Sequence, residues 1–182
     1  SRVLFTNNIT TDECKMGFYV YATDTIDHVI IEGNQLKGSG GGNQNSERIR
    51  FIGDHNAETL AGLFLLKDNV IDSGRVSIST AAKALVQGNT IKNCTDWGEA
   101  GLYLNNTNAV VENNTITNHR GYGIELKTDD SYANMAKDTI RSNNITGNNT
   151  DERSSHGGIY ITDYGNPVIW YNDIIDNSYY DI

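Results

Sequence analysis

Apolar and polar residues alternate over short stretches of this chain, and the three-to-four-residue period of an amphipathic helix appears nowhere at convincing length. Five stretches open on glycine and then alternate: Gly17-Phe18-Tyr19-Val20, Gly74-Arg75-Val76-Ser77-Ile78, Gly101-Leu102-Tyr103-Leu104, Gly123-Ile124-Glu125-Leu126 and Gly158-Ile159-Tyr160-Ile161. Ile49-Arg50-Phe51 fits the same strand without its glycine. A strand puts successive side chains on opposite faces, so Leu102 and Leu104 share one side and Tyr103 takes the other.

A second pattern recurs between these strands. Taking Ile9, Leu36, Ile71, Ile91, Ile116, Ile145 and Ile174 as anchors, asparagine stands two places earlier every time: Asn7, Asn34, Asn69, Asn89, Asn114, Asn143 and Asn172. An aliphatic residue stands five places earlier: Leu4, Ile31, Leu66, Val86, Val111, Ile140 and Ile169. Subtracting successive anchor numbers gives 27, 35, 20, 25, 29 and 29. A lone coil of this length cannot bury its own apolar side, whereas a stack makes a continuous core and hydrogen-bonds each strand to its neighbours above and below. Uneven spacing fits a parallel β-helix, whose loops vary while its strands stay in register. The expected coil is a Gly-led strand, a turn, an aliphatic-Asn-aliphatic segment and another turn. About seven coils at the ~4.8 Å strand spacing give a stack ~34 Å long. The asparagines are expected to form a ladder of side-chain amides at a corner, where Asn also tolerates a left-handed backbone.

The Gly-strand and Asn-x-Ile patterns resemble the pectate-lyase-like superfamily, and more closely the carbohydrate-binding and sugar-hydrolase type of β-helix repeat. That group includes alginate epimerases and lyases, bacterial surface proteins and phage tail spikes. The resemblance implies an all-β, right-handed, single-stranded parallel β-helix over residues 1–182. It also implies a polysaccharide partner, an extracellular, cell-surface or virion-associated location, and either lyase or glycoside hydrolase chemistry or the non-catalytic shaft of a spike or surface protein. Polygalacturonase-like motifs are not reproduced: Asp129-Asp130 precedes Asn149-Thr150-Asp151, the reverse of that family's order, and His156-Gly157 lacks a leading glycine. The Asp-Pro-His of alginate epimerases is missing too. No catalytic residue is carried over from either family. Val3 already lies in the repeat and Tyr179-Tyr180-Asp181-Ile182 reads as the start of another strand, so the chain reads as one segment of a longer protein.

The remaining composition narrows the chemistry. A net charge of -9 argues against duplex nucleic acid or an anionic membrane surface as partner, and no apolar run approaches the ~18 residues of a membrane span. A neutral glycan suits that charge; a polyuronate needs local basic residues. Cys14 and Cys94, three coils and ~14 Å apart, are expected to be unpaired thiols. The outward positions two after the strand glycine form a row of Tyr19, Tyr103, Glu125 and Tyr160, with Ser77 in the place that the offset Arg75 disturbs, and Asn105, Lys127 and Thr162 lie two residues further along. Aromatic faces beside a carboxylate suit a sugar ring. Glu125, Lys127 and Asp163 are the candidate catalytic groups, and Tyr103, Tyr160, Arg120 and His156 the candidate substrate-binding groups. Arg120 and His156 belong to turns entering the Gly strands, with Asp96, Trp97, Glu99, His119, Asp151, Glu152 and Arg153. These turns are expected to form a polar ridge in which a His or Arg could serve as base or charge neutraliser. No cofactor is expected; Asp129-Asp130 leaves Ca²⁺ binding open, though two acids do not define a site of six to eight oxygens. The spike resemblance also raises a homotrimer, which would bury an exposed apolar stripe on one flank.

Overall fold

A computed structural model describes residues 2–10, 17–21, 28–38, 47–53, 63–80, 83–95, 98–133, 137–150 and 157–182. The chain winds through three parallel sheets. The first holds strands Arg2–Thr6, His28–Glu32, Leu63–Lys67, Lys83–Gln87, Ala109–Glu112, Thr139–Arg141 and Val168–Trp170. The second holds Ile9–Thr10, Gln35–Lys37, Val70–Asp72, Thr90–Lys92, Thr115–Thr117, Asn144–Thr146 and Asp173–Ile175. The third holds Phe18–Tyr21, Glu47–Ile52, Arg75–Ser79, Leu102–Asn105, Ile124–Thr128 and Ile159–Asp163. Each strand pairs with the equivalent strand one coil away, which is the architecture of a parallel β-helix of seven coils. The aliphatic-Asn-aliphatic segment is thus two strands, not one, because the chain bends at the asparagine.

The two aliphatics of that segment point inward from either side of the bend. Ile31, Leu66, Val86, Val111 and Ile140 come from the first sheet, and Ile71, Ile91, Ile116 and Ile145 from the second; all are fully buried. Val76, Ile78, Leu102, Leu104, Ile124 and Leu126 close the core from the third. At roughly 1.5–3 kcal/mol per buried aliphatic side chain, this continuous column is the main favourable term holding the coils together.

The asparagine ladder is present. Along Asn34, Asn69, Asn89, Asn114, Asn143 and Asn172, each Oδ1 from Asn69 onward accepts both the backbone N–H and the side-chain amide of the preceding rung, at 2.9–3.0 Å. Two details differ from the sequence expectation. The first rung is Asn8, whose amide donates to Asn34 Oδ1 at 2.8 Å, and not Asn7. In that coil Phe5 pairs with Ile31 and Thr10 with Leu36, so Leu4 and Ile9 face outward, 52% and 71% exposed. The left-handed residue is the one before each rung: Asn7, Gly33, Asp68, Gly88, Asn113, Ser142 and Tyr171, all with φ between 54° and 68°. The ladder asparagine itself keeps an ordinary backbone and turns inward to meet the carbonyls that the bend frees.

A second column runs down the corner after the second sheet. Cys94 N–H donates to His119 Nδ1 at 3.1 Å, His119 N–H to Asn148 Oδ1 at 3.2 Å, and Asn148 N–H to Asn177 Oδ1 at 3.0 Å. Asn148 and Asn177 each send their amide to a carbonyl one coil back, Ile116 and Ile145. Three of the strand glycines make room for this column. A Cβ on Gly101 would meet the His119 ring, one on Gly123 would lie 2.8 Å from Asn148 Nδ2, and one on Gly158 2.9 Å from Asn177 Nδ2. Cys94 is buried in this corner; Cys14 lies outside the described residues.

Candidate functional site

The outer face of the third sheet carries the row expected from alternation. Pairing runs Tyr19, Arg50, Ser77, Tyr103, Glu125, Tyr160, one residue per coil. The next outward row is Tyr21, Ile52, Ser79, Asn105, Lys127 and Thr162. Tyr103, Glu125 and Tyr160 are therefore neighbours at about the 4.8 Å strand spacing, with Lys127 beside Glu125 on the same face.

Their surroundings differ. Tyr160 lies parallel to Tyr122, with ring centroids 4.5 Å apart and planes 5° from parallel, and is 39% exposed. Tyr122 is buried, so it fixes the orientation of an exposed ring. Tyr103 is half-buried, with the Arg75 guanidinium 5.9 Å from its centroid. Burial, and then the Glu125 charge, push its hydroxyl above the ordinary tyrosine range. Burial also raises the Glu125 carboxyl, while Arg75 and Lys127 pull it back. Arg75 itself is held by Glu47 at 2.7 Å and by Glu99, and Arg50 by Glu47 at 3.0 Å. Glu47 is 2% exposed and stays tied between the two guanidinium groups. Lys127 stands 3.9 Å from Asp129.

The other candidates are more remote from this row. Asp163 pairs with Thr128, three residues beyond the Glu125–Tyr160 pair, and sits at a left-handed corner with φ 56°. Three residues along and one strand across separate the Glu125 and Asp163 backbones by ~11 Å. Arg120 lies on the turn before Gly123 and donates from Nη1 to Thr95 O at 3.4 Å. His119, its neighbour, is fully buried in the second corner column and so leaves the solvent-facing ridge in which it was expected. Its imidazole takes the place of an asparagine there, which removes it as a general base for an external substrate. His156, Asp96, Trp97, Asp151, Glu152 and Arg153 lie outside the described residues. Asp129 exchanges two hydrogen bonds of 2.8 Å with Asn106, and among the described residues no group of three His, Cys, Asp or Glu is placed to hold a metal ion.

Sequence reasoning missed Tyr122 and the Glu47–Arg75–Glu99 cluster. Both reach the face from turns or from a strand's first residue, outside the alternation that reveals the row.

A family model described as the right handed beta helix region matches residues 1–147 and 74–182. The chain belongs to that family, and the helix is right-handed; it is consistent with the pectate-lyase-like superfamily. No curated protein and no solved structure matches it.

Proposed function

We propose that the outer face of the third sheet binds a polysaccharide. The observation that carries this reading is Tyr160: an exposed ring, fixed flat against buried Tyr122, one strand from Glu125 and beside the Lys127 row. A pre-oriented aromatic face stacks on the apolar C–H face of a sugar at little entropic cost, and adjacent charged groups bond its hydroxyls. A neutral glycan suits this face better than a polyuronate. Arg50 and Arg75 are already tied to Glu47 and Glu99, and Lys127 neighbours Glu125 and Asp129, so among the described residues of these two outward rows and their Arg75 neighbour each cation has a carboxylate beside it. Such a partner puts the protein outside the cell, at a cell surface or on a virion.

Cleavage, in this reading, centres on Glu125. A carboxyl raised by burial suits a general acid, with Lys127, Tyr160 or Asp163 as the second group of a lyase or hydrolase. The Asp163 backbone offset exceeds the ~5–9.5 Å carboxyl separations of glycosidases, so a two-carboxylate mechanism requires the Glu125 and Asp163 side chains to lean together. A glycan array with a depolymerase assay on the whole chain tests both binding and cleavage. Tyr160→Ala is expected to weaken glycan binding at least tenfold with its melting temperature nearly unchanged, and Glu125→Gln to abolish any cleavage. Absence of binding to every neutral glycan ends this reading.

The second reading, a non-catalytic structural shaft, is favoured by one observation: the outer face of the first sheet carries an apolar row along the stack.

A further inference from the structure

The register of the first sheet lines up Leu4, Ile30, Leu65, Leu85, Val110, Thr139 and Val168, one from each coil, all pointing away from the core. Six of the seven are aliphatic. The end members are 52% and 61% exposed, and the five between them are half-buried by their neighbours in the row. A strand whose outer face meets water ordinarily carries polar residues there, as this sheet does two residues further along. The row extends ~29 Å, six steps of the strand spacing. With its flanking rows it is ~13 Å wide, so two copies would cover about 800 Å² before side-chain relief is counted. That falls below the ~1,200 Å² of a stable specific interface and predicts a weak, transient, concentration-dependent association.

The flanking row says what covers it. From the second coil to the sixth it reads Glu32, Lys67, Gln87, Glu112, Arg141. Within the chain these alternate in sign, with Lys67 Nζ 3.3 Å from Glu32 and Arg141 Nε 2.7 Å from Glu112. Reversed end for end about Gln87, the same row is its own complement: Glu32 faces Arg141, Lys67 faces Glu112, and the Gln87 amide faces itself. Leu85, in the same coil as Gln87, is the midpoint of the apolar row. Both rows therefore share one dyad.

We infer that the first sheet is an interface on which a second copy of this chain packs antiparallel, about a two-fold axis through Leu85 and Gln87. A two-fold interface brings the same patch of each copy together, which the Glu32-to-Arg141 row satisfies with four opposite-charge pairs; on the other flank the dyad sets exposed Lys83 against its own copy, a like-charge contact at the rim that those four pairs outweigh. A parallel arrangement, two-fold or three-fold, brings unlike flanks together. It sets Lys83 against Gln87 and Leu63 against Lys67, and leaves the alternating row without its complement. This inference does not rest on the glycan reading, since the two faces belong to different sheets.

Two experiments on the whole chain test it. In a Cys14→Ser background, Leu85→Cys is expected to form covalent dimers with a short bis-maleimide, while Ile30→Cys forms at least tenfold fewer. Mixing the Ile30→Cys and Thr139→Cys proteins restores cross-linking. Equal cross-linking of Leu85→Cys and Ile30→Cys means parallel copies and overturns the arrangement; none with either variant overturns the interface. Sedimentation equilibrium reads the charges. Lys67→Glu should weaken self-association at least tenfold, and adding Glu112→Lys to the same chain should restore it, because the two positions meet across the dyad. Failure of the double variant to recover, with far-UV circular dichroism unchanged, also overturns the proposal.

Discussion

Asparagine carries the first corner because one amide does two jobs there. Its Oδ1 takes two donors from the rung before, and its Nδ2 reaches carbonyls of its own coil and of the coil before. Asn114 is 2% exposed, so nothing but protein satisfies these groups. Replacement by Leu keeps the bulk but removes the Asn114 acceptor from the Asn89 N–H and the Asn114 donor from the Val86 carbonyl, while the Asn89 amide keeps only its bonds to the Leu66 and Gln87 carbonyls. At ~1–3 kcal/mol per buried unsatisfied group, Asn114→Leu should cost ~3 kcal/mol or more. Asn172 makes the equivalent bonds from a half-buried rung, where water replaces what is lost. Asn172→Leu should cost roughly a third as much. Denaturant melts of both variants in the whole chain measure the difference, and equal shifts would show that burial adds nothing to the ladder. His119 reveals the same logic with different chemistry. Its Nδ1 accepts from Cys94 N–H and its Nε2 lies 3.0 Å from Ile91 O, which fixes the neutral tautomer with the proton on Nε2. Nδ1 thus stands in for an amide oxygen and Nε2 for an amide nitrogen.

At the scale of the strand and its corners, glycine and asparagine work as pairs. Gly123 opens a strand of the third sheet, and the space its missing side chain leaves is filled from the second corner. A Cβ there would sit 2.7 Å from Gly158 O, 2.7 Å from Ile145 Cγ2 and 2.8 Å from Asn148 Nδ2. Two of these belong to a neighbouring backbone and a packed core side chain, so they cannot move aside cheaply. Gly123→Ala should therefore destabilise by ~1–3 kcal/mol, against the gain of a few tenths to ~1 kcal/mol that alanine brings at an unobstructed site. A melting temperature that rises in this variant would show the corner to be looser than it is drawn. The strands, the aliphatic columns and the outward tyrosine row were legible in the sequence because period-two alternation and a repeated Asn-x-aliphatic spacing survive loops of any length. The first coil was not. Leu4-Phe5 and Asn7-Asn8 each offer two adjacent residues of the right type, and the choice is made by packing, with Phe5 against Phe18 at 4.5 Å. The second column was hidden for a chemical reason: cysteine, histidine and two asparagines share no letter, only the ability to bond a backbone one coil away. Tyr122 was hidden because it reaches Tyr160 from a turn, where alternation assigns no face.

Over the whole molecule, two buried ionisable groups set opposite pH dependences in the same window. His119 is fully buried, and desolvation lowers its pKa from 6.5 to about 4, against a smaller upward pull from its bond to the Ile91 carbonyl. Between those values the unfolded chain holds a proton that the folded chain rejects, so this group removes stability as pH falls from 6.5 towards 4. Asp138, 5% exposed, accepts from Thr107 Oγ1 at 2.7 Å and Ala109 N–H at 2.8 Å. Burial nevertheless raises its pKa from 3.8 to about 6, because desolvation outweighs those two bonds. Here the folded chain holds the proton, so this group adds stability as pH falls from 6 towards 3.8 and loses it as pH rises back. At ~1.4 kcal/mol per unit, each contribution is on the order of 3 kcal/mol, and the two nearly cancel. The parent chain should accordingly show a nearly flat contribution from this pair between pH 4 and 6. Single variants unmask it. His119→Asn places an amide in a column that already uses amides and leaves Asp138 alone, so the stability of that variant should climb by ~3 kcal/mol on acidification across the window. Asp138→Asn keeps an acceptor for Thr107 and Ala109 and leaves His119 alone, so its stability should fall by a similar amount. Denaturant midpoints at pH 4, 5 and 6 for the parent and both variants decide it: parallel curves in all three would mean that neither group changes its proton affinity on folding, while slopes of opposite sign place both protons where the coils put them.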